Sequence, residues 1–486
     1  MNTSPLWQAS EAAAATNGRT TGGWNAIGVS IDSRTVQSGD LFVAIQGPNF
    51  DGHGFVADAM ARGAVAAMVS REPDGVDADA PLLWVDDTLA GLEALGRAAR
   101  QRSKAQIVAV TGSVGKTGTK EALFQALARS ASTHASKGNL NNHWGAPLSL
   151  ARMPRDSQFG VFELGMNHAG EIAPLSQLVR PHVVIITNVE PVHLEFFSSL
   201  SQIADAKAEI FEGLEPDGVA ILNRDNGLYE HLAAAAKAAG VGRIVSFGAH
   251  NEAQARLIGL AQHPTCNCIS ADIDGQAVTY KVGAPGRHWA INSLAVLAAV
   301  RALGADLGLA ALAMADVVAP KGRGERHVIA YDEGTLLVID ESYNASPVAM
   351  TAAIQTLGVG GDEVLAKGRR IAVLGDMLEL GPTSPALHAE LVPALVEAGV
   401  DRVFACGPQM KHLFDALPRH MRTQHEETAQ VLVAKVMAAV QPGDTVLIKG
   451  SLGMAMAPIV QALCGLGEDI SVTSHAATLA NGNGNG

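Results

Sequence analysis

The chain has 486 residues, more than one hydrophobic core usually organises, so about two to four domains are expected. Hydrophobic residues make up 48% and aromatic residues 4%, the balance of an α/β protein rich in Ala, Val, Leu and Gly. A net charge of −13 without a basic tract argues against nucleic acid as a partner, and a polyanionic ligand then needs a local positive site. The start, MNTSPLWQASEAAAA, has no cationic end and no apolar centre, so no signal peptide is expected. No run of about 18 apolar residues occurs, so no membrane insertion is expected, and the cytoplasm is the expected compartment. Cys266, Cys268, Cys406 and Cys464 form no Cys-x-x-Cys pair and read as thiols of a reducing compartment.

In chain order, GVSIDSRTVQSGDLFVAIQG alternates like strands around a Ser-Gly-Asp turn, and FVADAMARGAVAAMVS reads as a helix and a buried strand. REPDGVDADAP is a loop, and TLAGLEALGRAARQRSK is a helix whose basic end suits its dipole. From Ile107, the runs QIVAV, FGVFEL, HVVIITNV, GVAILN and RIVSFG alternate with helical segments such as TKEALFQALARS and SLSQIADAKAEIFEGL. That alternation predicts a doubly wound, mostly parallel sheet with both faces covered. ADIDGQAVTYKV reads as an edge hairpin, HWAINSLAVLAAVRALG as an apolar helix, and residues 319–328, APKGRGERHV, as a linker. TLLVID, RIAVLG, DRVFACG and DTVLIKG then predict a second doubly wound, Rossmann-like sheet with ligands beyond its strand ends. The expected division is therefore 1–105, 106–327 and 328–475, with a low-complexity, disordered tail at 476–486.

The stretch VAVTGSVGKTGTKE places Gly112, Ser113, Val114, Gly115, Lys116 and Thr117 at a strand-to-helix junction. Backbone N–H groups at such a turn face an anion, and the helix N-terminus adds positive potential. Lys116 is positioned for the β- and γ-phosphates of a nucleotide and the Thr117 hydroxyl for Mg²⁺. The cradle is short: the usual pattern has its first glycine where this chain has Val110. No Asn-Lys-x-Asp guanine motif occurs, which argues against a GTPase switch.

The short loop Thr-Gly-x-x-Gly-Lys-Thr resembles that of the Mur ligases and folylpolyglutamate synthetases, and the likeness extends over residues ~25 to ~460. IDSRTVQSGDLFVAIQG with DGHGF resembles the N-terminal UDP-binding domain of the later-acting muramyl ligases. This implies that Ser33, Arg34, Asp51, Gly52 and His53 meet the UDP-muramyl substrate. SKGNLNNHWGAPLSL, ELGMNHAGEI, IDESYNASPVAM and LGDMLELGPTSPALH resemble the branch of the family that joins D-alanyl-D-alanine to UDP-N-acetylmuramoyl-tripeptide. The first of these makes Asn141 and Asn142 substrate-side candidates. The Asp-Asn-Pro-Arg stretch of the diaminopimelate-adding branch is absent.

The resemblance implies ATP and two Mg²⁺ ions. Thr117, Glu163 and His193 would be ligands, and Lys207, in an Ala-Lys-x-Glu context, would bridge once carbamylated. It further implies Asn292 beside the adenine, Arg323 at the γ-phosphate, Asp340 or Glu341 at the ribose, and Tyr343 and Asn344 near the phosphates. Asp376, Met377 and His388 fall on the acceptor side. One departure stands out: the family's usual Lys-Gly-Ser-Arg is here Lys449-Gly450-Ser451-Leu452. The expected reaction activates a carboxylate as an acyl phosphate, which an amine then attacks. A monomer is expected.

Overall fold

The computed structural model describes residues 5–47, 50–77, 79–191, 195–358 and 368–470. His193 and the tail at 476–486 therefore lie outside the described residues. The fold is mixed α/β, with three large sheets and a small two-stranded pair.

The first large sheet has five strands in the order Arg19–Thr20, Leu82–Trp84, Ala66–Val69, Asp40–Val43, Gly28–Ser30. Gly28–Ser30 and Asp40–Val43 run parallel and do not turn back on each other as a hairpin. The segment between them crosses over through the short 3-10 turn Ser33–Thr35, capped by the Asp32 carboxylate accepting from Arg34 N. The helix Thr88–Arg102 follows an Asp87 cap and buries Leu92, Leu95 and Ala99. Trp7 Nε1, on the small pair, donates to Ala151 O (2.9 Å), and Arg152 Nε donates to Val29 O of the first sheet, so both are fastened at the helix Gly145–Ala151 of the central unit.

The central sheet has nine strands. Its parallel part runs Ala255–Gln262, Arg243–Gly248, Val219–Asn223, Val183–Ile186, Gln106–Thr111, Phe159–Glu163, Thr133–Ala135. Beyond Ala255–Gln262, Asn267–Ile273 and Gln276–Val282 add antiparallel. The predicted edge hairpin is present, with Ala255–Gln262 as a third antiparallel partner. The helix Arg287–Ala302 is apolar over most of its surface and buries ten residues against one face of this sheet, beside Lys116–Ala128. Helices Ile172–Val179 and Leu200–Ala208 cover the other face. Gln106–Thr111 is flanked by Phe159–Glu163 on one side and Val183–Ile186 on the other, so chain order reverses about it. The crevice at the carboxyl ends of these strands is where such sheets bind ligands.

His134, on the edge strand Thr133–Ala135, donates Nε2–H to Ser149 O at 2.8 Å. Burial pulls its pKa from 6.5 down to about 4. The folded state thus holds the neutral ring while the unfolded chain takes up a proton. Stability present above about pH 6.5 is expected to drain as pH falls toward about 4. Urea unfolding at about pH 7 and pH 5 checks this, because His134→Gln should flatten that part of the pH dependence.

The third large sheet runs Glu325–Tyr331, Gly334–Glu341, Thr445–Lys449, Arg370–Gly375, Arg402–Cys406, Arg422–Glu426, antiparallel only at its first pair. Residues 319–328 are thus not linker throughout. The strand begins at Glu325 because the alternating residues through Ile329 pair with Gly334–Glu341, leaving 317–324 irregular.

Candidate active site

The cradle closes the end of Gln106–Thr111 and opens the helix Lys116–Ala128. Gly112 has φ +148° and Gly115 φ +85°, conformations that side chains rarely adopt. A Cβ at Gly112 would lie 2.0 Å from Thr187 Oγ1, and one at Gly115 would lie 2.6 Å from Asn292 Nδ2. The loop is pinned on its outer side. Ser113 N donates to Asn188 O (2.9 Å), Ser113 Oγ to Glu190 O (3.1 Å), and Thr187 Oγ1 to Val114 O (2.6 Å). Gly112→Ala is expected to lower kcat/KM by about a hundredfold, since small misplacements of a positioning loop cost that much. Steady-state kinetics beside a thermal melt checks this; wild-type kinetics in a folded variant would show that the loop tolerates the methyl.

Lys116 Nζ folds over the loop and donates to Gly112 O at 2.7 Å. Burial lowers its pKa, Glu163 partly restores it, and Arg323 lowers it further, so both cations serve one locus. Thr117 Oγ1 donates to Glu163 Oε2 (2.9 Å) and Asn141 Nδ2 donates to Glu163 Oε1 (2.8 Å). Glu163 is buried at the end of Phe159–Glu163, beside the cradle. Thr117, Asn141 and Glu163 thus gather a hydroxyl, an amide and a carboxylate, the oxygen-rich set that suits Mg²⁺. Lys207, on Leu200–Ala208, is also buried. Burial first and Lys116 second push its pKa well below the ordinary lysine value.

A cleft of about 700 Å³ adjoins the cradle and is walled by the central and third domains. Val114, Asn188, His288 and Asn292 line one side, and Arg326 and Val348 the other. The Arg323 guanidinium stacks over the Tyr343 ring at 4.2 Å. Lys449 Nζ bonds Glu341 Oε2 (2.9 Å) and Asn344 O (3.0 Å). Asp340 and Glu341, offered as alternatives by the sequence, are separated by strand alternation. Glu341 meets Lys449, whereas Asp340 pairs across the hairpin with Glu325. His288, Asn188, Glu190, Arg326 and Lys449 were not singled out as site residues from the sequence. HWAIN contained the signal for His288, four residues before Asn292 on one helix face.

Several candidates have their polar atoms engaged locally. Asn142 Oδ1 accepts from Trp144 N and Gly145 N, capping the next helix. Asp376 accepts from Met410 N (2.6 Å) and Gln409 N (3.1 Å). His388 is buried; Nδ1–H donates to Ser384 O (2.7 Å), and Nε2 accepts from Met377 N (2.9 Å). These contacts set the loop at the carboxyl end of Arg370–Gly375, where Leu378 and Leu452 are both exposed. In the first domain Ser33 is buried, and Arg34 is exposed and bidentate on Asp32. The Asp51 carboxylate is held well below its usual range by Arg71 and then by His53 N–H. His53 Nε2 accepts from Ser70 N at 3.0 Å, so Asp51, Gly52 and His53 form a rigid corner more than 50 residues in sequence from the cradle.

A phosphate cradle with a neighbouring buried carboxylate and lysine, a cleft walled by a second doubly wound unit, and a separate N-terminal sheet together define a Mur ligase. The chain belongs to this family: the Mur ligase catalytic domain is matched over residues 26–103, the Mur ligase middle domain over 110–300 and the glutamate ligase domain over 322–452. Within the family it is similar to the UDP-N-acetylmuramoyl-tripeptide–D-alanyl-D-alanine ligase of Escherichia coli, 37% identical over 90% of this chain and 93% of that one. It is 36% identical to the ligase of the same name from Rickettsia prowazekii, over 89% and 94%. Among solved structures, MurF from Acinetobacter baumannii superposes with a TM-score of 0.81 at 30% identity, covering 96% of this chain and 100% of that one. MurF ligase from Thermotoga maritima in complex with ADP gives 0.72 at 26% identity, over 90% and 97%.

Proposed function

We propose that this chain is the ATP-dependent ligase that joins D-alanyl-D-alanine to UDP-N-acetylmuramoyl-tripeptide, releasing ADP and phosphate. The observation that carries the reading is the convergence of Lys116, Thr117, Glu163 and Lys207 on one buried locus, in a chain more than one-third identical to such ligases along most of its length. A carboxylate is a poor electrophile in water. Transfer of the γ-phosphoryl group to the tripeptide's terminal carboxylate makes an acyl phosphate. The dipeptide amine attacks its carbonyl, the C–N bond forms, and phosphate leaves with the C–O bond's electrons. Such transfers need positioning and charge neutralisation more than covalent help.

Residues of this chain fit those tasks. The cradle N–H groups and Lys116 hold the β- and γ-phosphates, Arg323 approaches from the irregular segment that leads into the third domain, and Asn292 borders the base. Glu341 is the better placed of its pair for the ribose, with Tyr343 and Asn344 beside it. Thr117 and Glu163 would hold Mg²⁺, and Lys207 with His193, which lies outside the described residues, would serve a second ion; bound metal would neutralise charge on the phosphates. Burial and then Lys116 push the Lys207 amine toward its neutral form, the form that can attack carbon dioxide. A carbamate forms and a proton leaves, turning a buried amine into an anionic oxygen ligand. Ser33, Arg34 and the Asp51–His53 corner serve the UDP end, and Asn141 and Asn142 face the tripeptide side. Asp376 and His388 act on the acceptor by shaping the loop that bears Met377 and Leu378. Leu452 makes that rim apolar, where the family resemblance implies an arginine. We assign residues 1–105 to the muramyl substrate, 106–324 to ATP and the unit from Glu325 onward to the acceptor; the boundary expected after residue 327 moves to the start of Glu325–Tyr331, which is a strand of the third sheet. We place the chain in the cytoplasm as a monomer with small-molecule substrates and no nucleic acid.

An acceptor panel tests the reading. ADP release in the presence of ATP and UDP-N-acetylmuramoyl-tripeptide should require D-alanyl-D-alanine and fail with meso-diaminopimelate, D-glutamate or L-alanine. Turnover of the tripeptide with one of those in place of the dipeptide would contradict the acceptor assignment.

A further inference from the structure

The hairpin that opens the third domain carries ligating side chains away from the nucleotide cleft. Glu325 and His327 stand two residues apart on Glu325–Tyr331 and project from one face. Antiparallel register sets Asp340 opposite Glu325. One ligand atom from each of the three lies within 4.8 Å of the other two. The imidazole is already oriented: Nδ1 is 2.8 Å from Asp469 Oδ2, and Nε2 is 3.7 Å from Glu325 Oε2. Nδ1–H therefore donates to Asp469, and the Nε2 lone pair faces the carboxylates. A separation of 3.7 Å is too long for a hydrogen bond. Two donors about 2.1 Å from one shared cation lie roughly 3.4–3.7 Å apart at tetrahedral or wider angles. A carboxylate fixing one ring nitrogen so that the other binds metal is a recurrent arrangement.

Asp340 adds an independent observation. It is only 3% exposed, and among the described residues its carboxylate accepts one hydrogen bond, from Ser342 N at 3.0 Å, and forms no ion pair with Lys or Arg. A buried carboxylate without a counter-cation is costly, and a cation at this point would relieve the cost.

We propose that Glu325, His327 and Asp340 form a divalent transition-metal site, with Asp469 as the residue that positions the imidazole. One nitrogen and two carboxylates favour Zn²⁺ or Co²⁺ over Mg²⁺, which prefers all-oxygen surroundings and retained water. The site is separate from Thr117 and Glu163. It clasps the segment just after Arg323 to the strand Gly334–Glu341 and, through Asp469, to the end of the described chain.

Titrating the full chain with Co²⁺ in excess Mg²⁺, followed by visible absorption and calorimetry, tests the site. The wild type should take up one equivalent with a new visible band and unfold at a higher temperature when loaded. His327→Gln should lose the band and the shift, and Asp469→Asn should weaken binding about tenfold to a hundredfold. Glu325→Gln, on the more exposed side of the pair, is the second variant should His327→Gln fail to fold, and it too should lose the tight equivalent. Absence of that equivalent in the wild type, or its unchanged presence in a folded His327→Gln or Glu325→Gln protein, would overturn the proposal.

Discussion

Lys116→Ala is expected to lower kcat/KM by about a thousandfold or more, with the fold intact. The magnitude follows from what the side chain touches. Its ammonium is half-buried, donates to the cradle carbonyl of Gly112, and shares its surroundings with Glu163 and Arg323. A fixed cation in a water-excluded site stabilises charge on a transferring phosphoryl group far more than one in solvent, and removing such a donor costs roughly two to three orders of magnitude or more. Stability should change little or even rise, because desolvation already disfavours the charge in the ligand-free protein. Kinetics and a thermal melt on the same preparation separate the two effects. Loss of activity with loss of fold would leave Lys116 a structural residue, and retained activity would remove it from phosphoryl transfer.

Lys207→Ala and Lys207→Arg should be equally damaging, each by about a thousandfold, although Arg keeps the positive charge. Lys207 is buried beside another lysine, and both effects drive its amine toward the neutral form. A neutral amine can take up carbon dioxide; an arginine cannot be deprotonated to do so. The pH dependence has a definite sign. As pH falls through the lowered lysine pKa the ammonium form grows, carbamylation fails, and activity falls on the acid side. Added bicarbonate should move that limb to lower pH, and carbon-dioxide-free buffer should depress activity reversibly. An active Lys207→Arg protein, or indifference to bicarbonate, would make Lys207 a plain cation.

The parts of the site legible in the sequence are those that one local segment encodes. The cradle is a strand, a glycine turn and a helix in immediate succession, so Gly112 through Thr117 could be read without a partner. Glu163 was legible as a strand-end carboxylate, because parallel strands bring their carboxyl ends to one edge. What sequence could not assign depends on contacts between distant segments. His288 faces Glu341 and Lys449 across the boundary between two domains, and Arg326 reaches the cleft from a strand read as part of a linker. Asp376 and His388 look chemical by residue type, yet the fold commits them to Met410 N and Met377 N, partners that only tertiary structure supplies. The strand Ala255–Gln262 is not legible in the sequence because its burial is partial along most of its length, so no clean alternation marks it.

The most direct test of the account is the mass of the nucleotide product when the chain is incubated with ATP, Mg²⁺, UDP-N-acetylmuramoyl-tripeptide and D-alanyl-D-alanine. A UDP-muramyl product heavier than its precursor by one dipeptide less one water is expected, formed in step with ADP and absent when any component is left out. ATP hydrolysis with the tripeptide unchanged, in a folded protein supplied with all components, would contradict it.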